Sequence, residues 1–520
     1  MSSTVQNDQY WEQFSILPSD LEHLINFLVE TERPHMIDQL AQELARARHQ
    51  QMVSLIADTL SQGRIYRPGE RYAVGEHIIF PHLNNLLGEV IAVRTGHNPE
   101  YSAFDVITVK MASGSVREFV TALNRDHPLN TATYLPSQNL NLEDIFDRYG
   151  NKIKSVLRSA LEKNPQFISV GDQWFLRDLV MDVPPGQLNI AEALLDMAGG
   201  GPLSTASLLD EMEMPAELSR PLQLFSLEYA LLHDRRFDEV GPAGYAMWHL
   251  RQMEPKGVLE VPLPLRYMPI PYSRALLDDT MLSLERQIDD EWADVVEVVP
   301  PVAGSVTVVL TYPHWRSGTL PLSQRVAQLF PTARITDRIC FTFMDARTRE
   351  TFPGWVVRSG RYVHGLTEWY KKNSVSVGAY VDLEHSGEPG TIQVSVRPIR
   401  SKRREWLRTV TTDGGQLQLE VTRVPVACEF DELATVAVAD PNAVDSLAQQ
   451  LQRASLESLL EQIFNGLAGL SLQRAVHAMT LYSVLNLLRR VPPAPMLAVL
   501  ATSSRYMALG DNYWAYRGES

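Results

Sequence analysis

Apolar positions along the chain recur in two rhythms, one near 3.6 residues and one of 2, and the alternation between them sets the expected elements. Leu21, Leu24, Ile25 and Leu28 share one helical face, Pro34 interrupts, and Ile37, Leu40, Ala41 and Leu44 resume it. Residues 19–49 therefore predict two helices, continued by the apolar run from Met52 to Leu60, and the stretch from Arg64 to Glu76 predicts a closing hairpin. From 75 to 120 the period shortens to 2. Short strands at 77–80, 88–94, 104–109 and 116–120, divided by turns at 84–85, 96–99 and 113–114, predict a small β-barrel. Residues 123–141, rich in Asn, Pro and Thr, predict a linker, 142–164 a helix, and Phe167 to Leu176 a second hairpin.

The middle of the chain repeats this order in compact form. Asn189 is placed to cap a helix carrying Ile190, Leu194 and Met197, and Gly199, Gly200, Gly201 and Pro202 break it. Ser204 or Thr205 caps a second helix, stopped near Pro215. A third begins near Arg220, because Pro221 suits only an opening turn. Residues 236–250 then read as two strands around a turn from Gly241 to Gly244, giving three helices and a hairpin, the order of a winged helix-turn-helix. The residues Arg236, Phe237, Val240, Gly241, Gly244, Tyr245 and Ala246, preceded by Gly201, Pro202 and Leu203, resemble the winged helix associated with restriction endonucleases and with the delta subunit of bacterial RNA polymerase. The resemblance covers residues 189–255, about one eighth of the chain, and implies a DNA-binding or polymerase-associated module. An aromatic residue, a Gly turn and a further Trp or Tyr recur at 167–176 and 505–516, each after a run of helices, which predicts an internal repeat.

Past Ala303 the period is again 2. Strands at 305–311, 339–345, 352–357, 380–384, 393–398 and 416–421, with short helices at 322–330 and 366–372, predict a closed pseudobarrel. Ile339 to Asp345, Trp355, Tyr362, the run from Gly365 to Tyr370 and that from Val377 to Leu383 are similar to the B3-type DNA-binding pseudobarrel, which implies a second nucleic-acid-binding fold. The expected class is a multidomain α+β protein of tandem winged-helix-like units with two small β-barrel-like domains. Its expected parts are winged-helix-like units at 1–75, 142–182, 186–256 and 440–520, a small barrel at 76–122 and a pseudobarrel at 303–430. A linker at 123–141 and a Pro-rich connection with an acidic helix at 257–302 join them.

Charge narrows the functional classes. A net charge of −15 opposes indiscriminate attraction to a polyanion, so any DNA contact is local. The clearest island is Arg397, Arg400, Lys402, Arg403, Arg404 and Arg408, with Trp406 near its end and Lys371 and Lys372 as candidate companions. Arginine forks grip phosphate oxygens while a planar ring meets a base or sugar. The competing reading pairs these cations with the acidic stretch 278–294 of the same chain. A smaller island, Lys152, Lys154, Arg158 and Lys163, lies on one helix, where Lys154 and Arg158 share a face suited to crossing phosphates or simply to being solvated.

Catalytic patterns are not evident. There is no phosphate-cradling Gly-rich loop with a Lys, no Gly-x-Ser-x-Gly elbow and no His-Glu-x-x-His. His82, His314 and His364 lack a sequence-evident partner, the acids at 278–279 and 289–291 read as solvated, and Cys340 and Cys428 read as buried thiols. No cofactor, metal or small-molecule substrate is expected. The first residues lack the pattern of a signal peptide and no apolar run reaches spanning length, so the expected setting is the cytoplasm without membrane contact. These features predict a non-enzymatic DNA-binding or transcription-associated factor, whose partner is DNA or a protein such as RNA polymerase. An acidic protein adaptor or the recognition subunit of a nuclease or defence system are the alternatives.

Overall fold

The computed structural model describes residues 10–83, 86–98, 103–131, 142–213, 218–294, 300–302, 304–333 and 335–517. The expected turn at 84–85, most of the 123–141 linker and the Pro215 helix stop lie outside the described residues. Two compact units divide the chain, Met1–Asp182 with Met214–Tyr229, and Val183–Glu213 with Ala230–Ser520.

In the first unit, α1 (Pro18–Thr31) turns Leu24 and Leu28 inward, and buried Asp20 accepts the Leu17 amide while Arg48 grips its carboxylate at 2.6–2.7 Å. A two-residue strand β1 (His35–Met36) precedes α2 (Ile37–Ser61). There follow β2 (Arg64–Ile65), β3 (His77–Phe80), β4 (Leu86–Thr95), β5 (Asp105–Met111) and β6 (Val116–Thr121), which pair in that order as one five-stranded sheet. The hairpin expected at 64–76 does not form. Arg64 and Ile65 pair in parallel with Ile78 and Ile79, because the chain between them folds inward to bury Tyr66 and Tyr72 beside Phe80. The two edges of this sheet are tied together where Ala122 and Leu123 donate to the Glu70 and Pro68 carbonyls.

The sheet is an insertion. After it, α3 (Leu142–Lys163) packs on α2, and β7 (Phe167–Val170) and β8 (Gln173–Leu176) form a hairpin whose second strand pairs with β1, His35 opposite Trp174. The segments 1–75 and 142–182, expected as two modules, are thus two parts of one: helix, strand, helix, helix, hairpin, with the sheet order β1-β8-β7. Residues 220–229 of a later helix also belong to this unit, with Phe225 edge-on to Phe175 at 6.1 Å and the Ser226 hydroxyl accepting the Met181 amide.

The second unit opens with α4 (Pro185–Met197), which begins four residues before the expected Asn189 cap because Pro184 and Pro185 preset its first turn. Then come β9 (Leu203–Ser204), α5 (Thr205–Asp210), the end of α6 (Arg220–His233, of which 220–229 belong to the first unit), β10 (Phe237–Glu239) and β11 (Met247–Leu250). Ser204 caps α5, its Oγ accepting the Ser207 amide at 3.0 Å. The sheet order β10-β11-β9 repeats that of the first unit: the strand before the second helix pairs with the last strand of the hairpin. Gly201 makes this possible, since its φ is +120° and a Cβ there would stand 2.6 Å from the Trp248 carbonyl oxygen.

The Pro-rich connection leads to α7 (Asp279–Ile288), capped by Asp278. A nearly closed, barrel-like seven-stranded sheet follows, formed by β12 (Ser305–Val309), β13 (Thr319–Pro321), β14 (Arg338–Asp345), β15 (Thr351–Val357), β16 (Tyr362–His364), β17 (Tyr380–His385) and β18 (Thr391–Val396). Their order is β12-β17-β18-β14-β15-β16-β13, parallel only between β14 and β18. Val308, Ile339, Phe343, Val363, Val381 and Ile392 fill its interior. Its two short helices are α8 (Tyr312–Ser317) and α9 (Thr367–Lys372). The helix expected at 322–330 is only a 3-10 turn at Val326–Gln328.

The basic island lies on the first half of a 16-residue strand, where the sequence pattern predicts no strand between 398 and 416. β19 (Pro398–Asp413) and β20 (Gln416–Cys428) make a long hairpin, with β21 (Ala437–Val438) parallel on β19. Val410 and Leu417 near its tip are buried in the core of the last module. That module comprises α10 (Pro441–Gln450), α11 (Leu456–Ala468), β22 (Ala475–His477), α12 (Ala478–Leu488), α13 (Pro493–Thr502), β23 (Tyr506–Gly510) and β24 (Tyr513–Tyr516), and its sheet order β22-β24-β23 gives the same pattern a third time. No single helix among the described residues is long and apolar enough to cross a membrane; the apolar α12 and α13 are buried core helices.

Candidate nucleic-acid interface

The register of the long hairpin decides which side chains of the island stand together. Successive residues of a strand point to opposite faces, and directly paired residues share a face. Arg404 pairs with Pro425, Trp406 with Arg423, and Arg408 with Val421. On this face Trp406 is 66% exposed and Val421 43%, and Arg404 and Arg423 are exposed as well. The Arg423 guanidinium lies over the Trp406 ring, 5.8 Å from its centre. The other face carries Leu407 and Thr409, both buried, and a 2.5 Å bond between the Thr409 and Thr422 hydroxyls. The acids of this segment, Glu405 and Glu420, fall on that second face by alternation. A planar ring flanked by two arginines, with the local carboxylates turned away, is an arrangement that can meet a phosphodiester backbone and stack on a base.

The remaining island residues are otherwise placed. Arg408 is an anchor: its guanidinium donates to the carbonyls of Glu432, Leu433 and Thr435, and burial pulls its pKa below the usual arginine value. Arg397 is held by Asp382 at 3.0 Å and lies over the Tyr380 ring. The backbone of Arg400, Lys402 and Arg403 is part of β19, while their side chains lie outside the described residues. Lys371 and Lys372 sit at the end of α9, paired with Glu368 and Glu350. Arg423 is not among the candidates that the sequence pattern singles out. Its signal is the turn of Asp413, Gly414 and Gly415, which sets the register that brings Arg423 to Trp406.

Half of the second island is ion-paired within its own unit. Lys154 pairs with Asp38 at 2.8 Å and Arg158 with Asp172 at 2.8 Å, while Lys152 donates to the Glu12 carbonyl. Lys163 is exposed in the last turn of α3, where a cation suits the helix dipole. Lys154 and Arg158 share a face as their spacing predicts, and each of the two already meets a carboxylate of the same unit.

Among the described residues, the acidic stretch does not pair with the basic island. Glu285 binds Arg274 at 2.7 Å and Asp289 binds Arg325 at 2.9 Å. Asp290 and Glu291, expected to be solvated, are buried: Arg490 reaches both at 2.7 Å, Tyr482 donates to Asp290 at 2.5 Å, and His314 Nε2 lies 3.2 Å from Glu291. Burial opposes ionisation of Glu291, yet Arg490 and His314 outweigh it and hold the carboxyl down at about 2. His314 also meets Thr319 through Nδ1 at 2.9 Å, His82 lies tilted against Tyr66 and edge-on to Phe80, and His364 lies behind Gly257. Cys428 is buried and Cys340 half-buried, its thiol pushed up to about 12 by burial. Among the described residues no group of three His, Cys, Asp or Glu side chains is arranged to hold a metal ion.

No family model, no curated protein and no solved structure matches the chain.

Proposed function

We propose that the chain is a modular, non-enzymatic nucleic-acid-binding protein of the cytoplasm, a DNA-binding or transcription-associated factor built of winged-helix-like modules, in which the exposed face of the long hairpin is a principal contact. The observation that carries this reading is the face of Arg404, Trp406 and Arg423. Trp406, two-thirds exposed between two arginines, offers a ring on which a planar base can stack while the guanidinium groups meet phosphates. Support also comes from the sheet order shared by the three helical modules, in which a short early strand joins the hairpin as in a winged helix, and from the nearly closed barrel-like sheet with two short helices, as expected of a pseudobarrel. Several weak modules on one chain raise each other's effective concentration, which offsets the unfavourable net charge.

The test is binding to double- and single-stranded oligonucleotides over a salt series. Replacing Arg404 and Arg423 by Ala is expected to lower the slope of log affinity against log salt by roughly 0.9 for each phosphate left without its arginine. Trp406→Ala is expected to weaken binding about tenfold, within the ~1–3 kcal/mol of a base–aromatic stack, without changing the slope. Unchanged slope and affinity in both variants would reject the hairpin face.

A second reading, a protein adaptor docking on a polymerase-type partner, is favoured by one observation: the cations of α3 are already paired with Asp38 and Asp172. It predicts partner binding that survives complete removal of nucleic acid and is indifferent to Arg404 and Arg423.

A further inference from the structure

A cleft of about 320 Å3 opens on the barrel between β15, β16, α9 and Pro255. Its walls are apolar: Phe352, Pro353 and Trp355 from β15, Trp369 from α9, and Pro255. Gly365 lets the floor close up, since at φ +125° a Cβ there would stand 2.6 Å from the Pro353 carbonyl oxygen. Trp369 is fixed by its indole N–H, which donates to Asp345 at 2.7 Å, and that carboxylate also accepts the amides of Arg347 and Thr348. Asp345 is therefore committed to holding the wall. The charge available to a ligand is on the rim, in Glu350 and Glu368.

Both rim carboxylates have lysine partners, Lys372 and Lys371, but all four side chains are more than half exposed. Exposed pairs between flexible side chains contribute little, so an incoming cation displaces them at small cost. His364 also faces the cleft, with its Nδ1 buried and without a hydrogen-bond partner. Burial lowers its pKa, so the imidazole stays neutral and does not repel a cation. Asp345, Glu350 and Glu368 against Lys371 and Lys372 leave the cleft and its rim with an excess of one carboxylate, unfavourable for a phosphate and favourable for a positive group carried on an aliphatic stem.

We propose that this cleft receives a lysine or arginine side chain of a basic peptide partner, its stem against Phe352, Pro353 and Trp355 and its charge between Glu350 and Glu368. The proposal does not rest on the hairpin reading, since it uses none of the same residues.

The test is a titration of the full chain, its tryptophans 15N-labelled, with Nα-acetyl-lysine methylamide, the arginine analogue and the uncharged norleucine analogue, following the Trp369 indole N–H resonance. Saturable shifts are expected with the lysine and arginine compounds, and at least tenfold weaker binding with norleucine. Glu350→Gln combined with Glu368→Gln, both on the surface, is expected to weaken the cationic compounds at least tenfold, whereas Glu384→Gln on the exposed end of β17 leaves them unchanged. Equal binding of norleucine, undiminished binding in the double variant, or no saturable shift would each overturn the proposal. A saturable response to a deoxydinucleotide instead would assign the cleft to nucleic acid and overturn it too.

Discussion

Glu254 shows how a single buried side chain couples the chain's stability to pH. Its carboxyl is enclosed beside β14, with Oε2 3.3 Å from Arg338 Nη1, while Asp238 takes the other guanidinium nitrogen at 2.8 Å and also faces Arg251 and Glu254. Burial first, and then the neighbouring Asp238, push Glu254 up to about 8 against the pull of Arg338. Unfolded, the group ionises near 4.5. Its contribution is therefore fully present below that pH and is lost progressively as the pH rises to about 8. Thermal melts of the wild type at pH 5.5 and 8.5 should differ more than those of Glu254→Gln, with the wild type losing stability on the alkaline side. Arg490 gives the complementary case. Replacing it by Met removes the guanidinium that the buried Asp290 and Glu291 share, which should cost about 3–5 kcal/mol in denaturant unfolding. By contrast Trp406→Ala, at an exposed position, should stay within about 0.5 kcal/mol of wild type, so any loss of nucleic-acid binding there reports on contact.

At the scale of elements, the two-residue and three-residue strands carry the architecture. β1, β9 and β22 are too short to show a period, and yet each joins a helix pair to the far strand of a hairpin. The hairpins themselves are legible, because Gly turns flanked by aromatics stand out in the sequence. What β1 pairs with is not. A consequence follows for dissection of the chain: residues 142–182 alone hold α3, β7 and β8 but lack β1, α1 and α2, so the fragment should be unfolded by amide-proton NMR dispersion, whereas a fragment also containing 10–131 should fold. A well-dispersed spectrum from 142–182 alone would contradict the interrupted module. The basic island is likewise hard to place at this scale. Its charges suggest a loop, while Trp406, Leu407, Thr409 and Val410 and the Gly414, Gly415 turn make it half of a ribbon.

For the whole molecule, a net charge of −15 is compatible with polyanion binding only where acids are turned away or neutralised. The second unit does both: Asp289, Asp290 and Glu291 are paired with Arg325 and Arg490, and Glu405 and Glu420 lie on the face of the hairpin opposite Trp406. The sequence by itself determined the mixed class, the alternation of helical and β segments, the Gly turns and the places where cations gather, because periodicity and turn chemistry are local properties. Only the tertiary structure decided that 1–75 and 142–182 form one interrupted module, that Lys154, Arg158 and Arg397 are neutralised while Arg404 and Arg423 are left beside an open tryptophan, and that the acids at 290 and 291 are buried. The physical reason is that strand pairing and ion pairing join residues far apart along the chain, so the partner of a charge or of a two-residue strand is fixed by packing and leaves no trace in the local pattern.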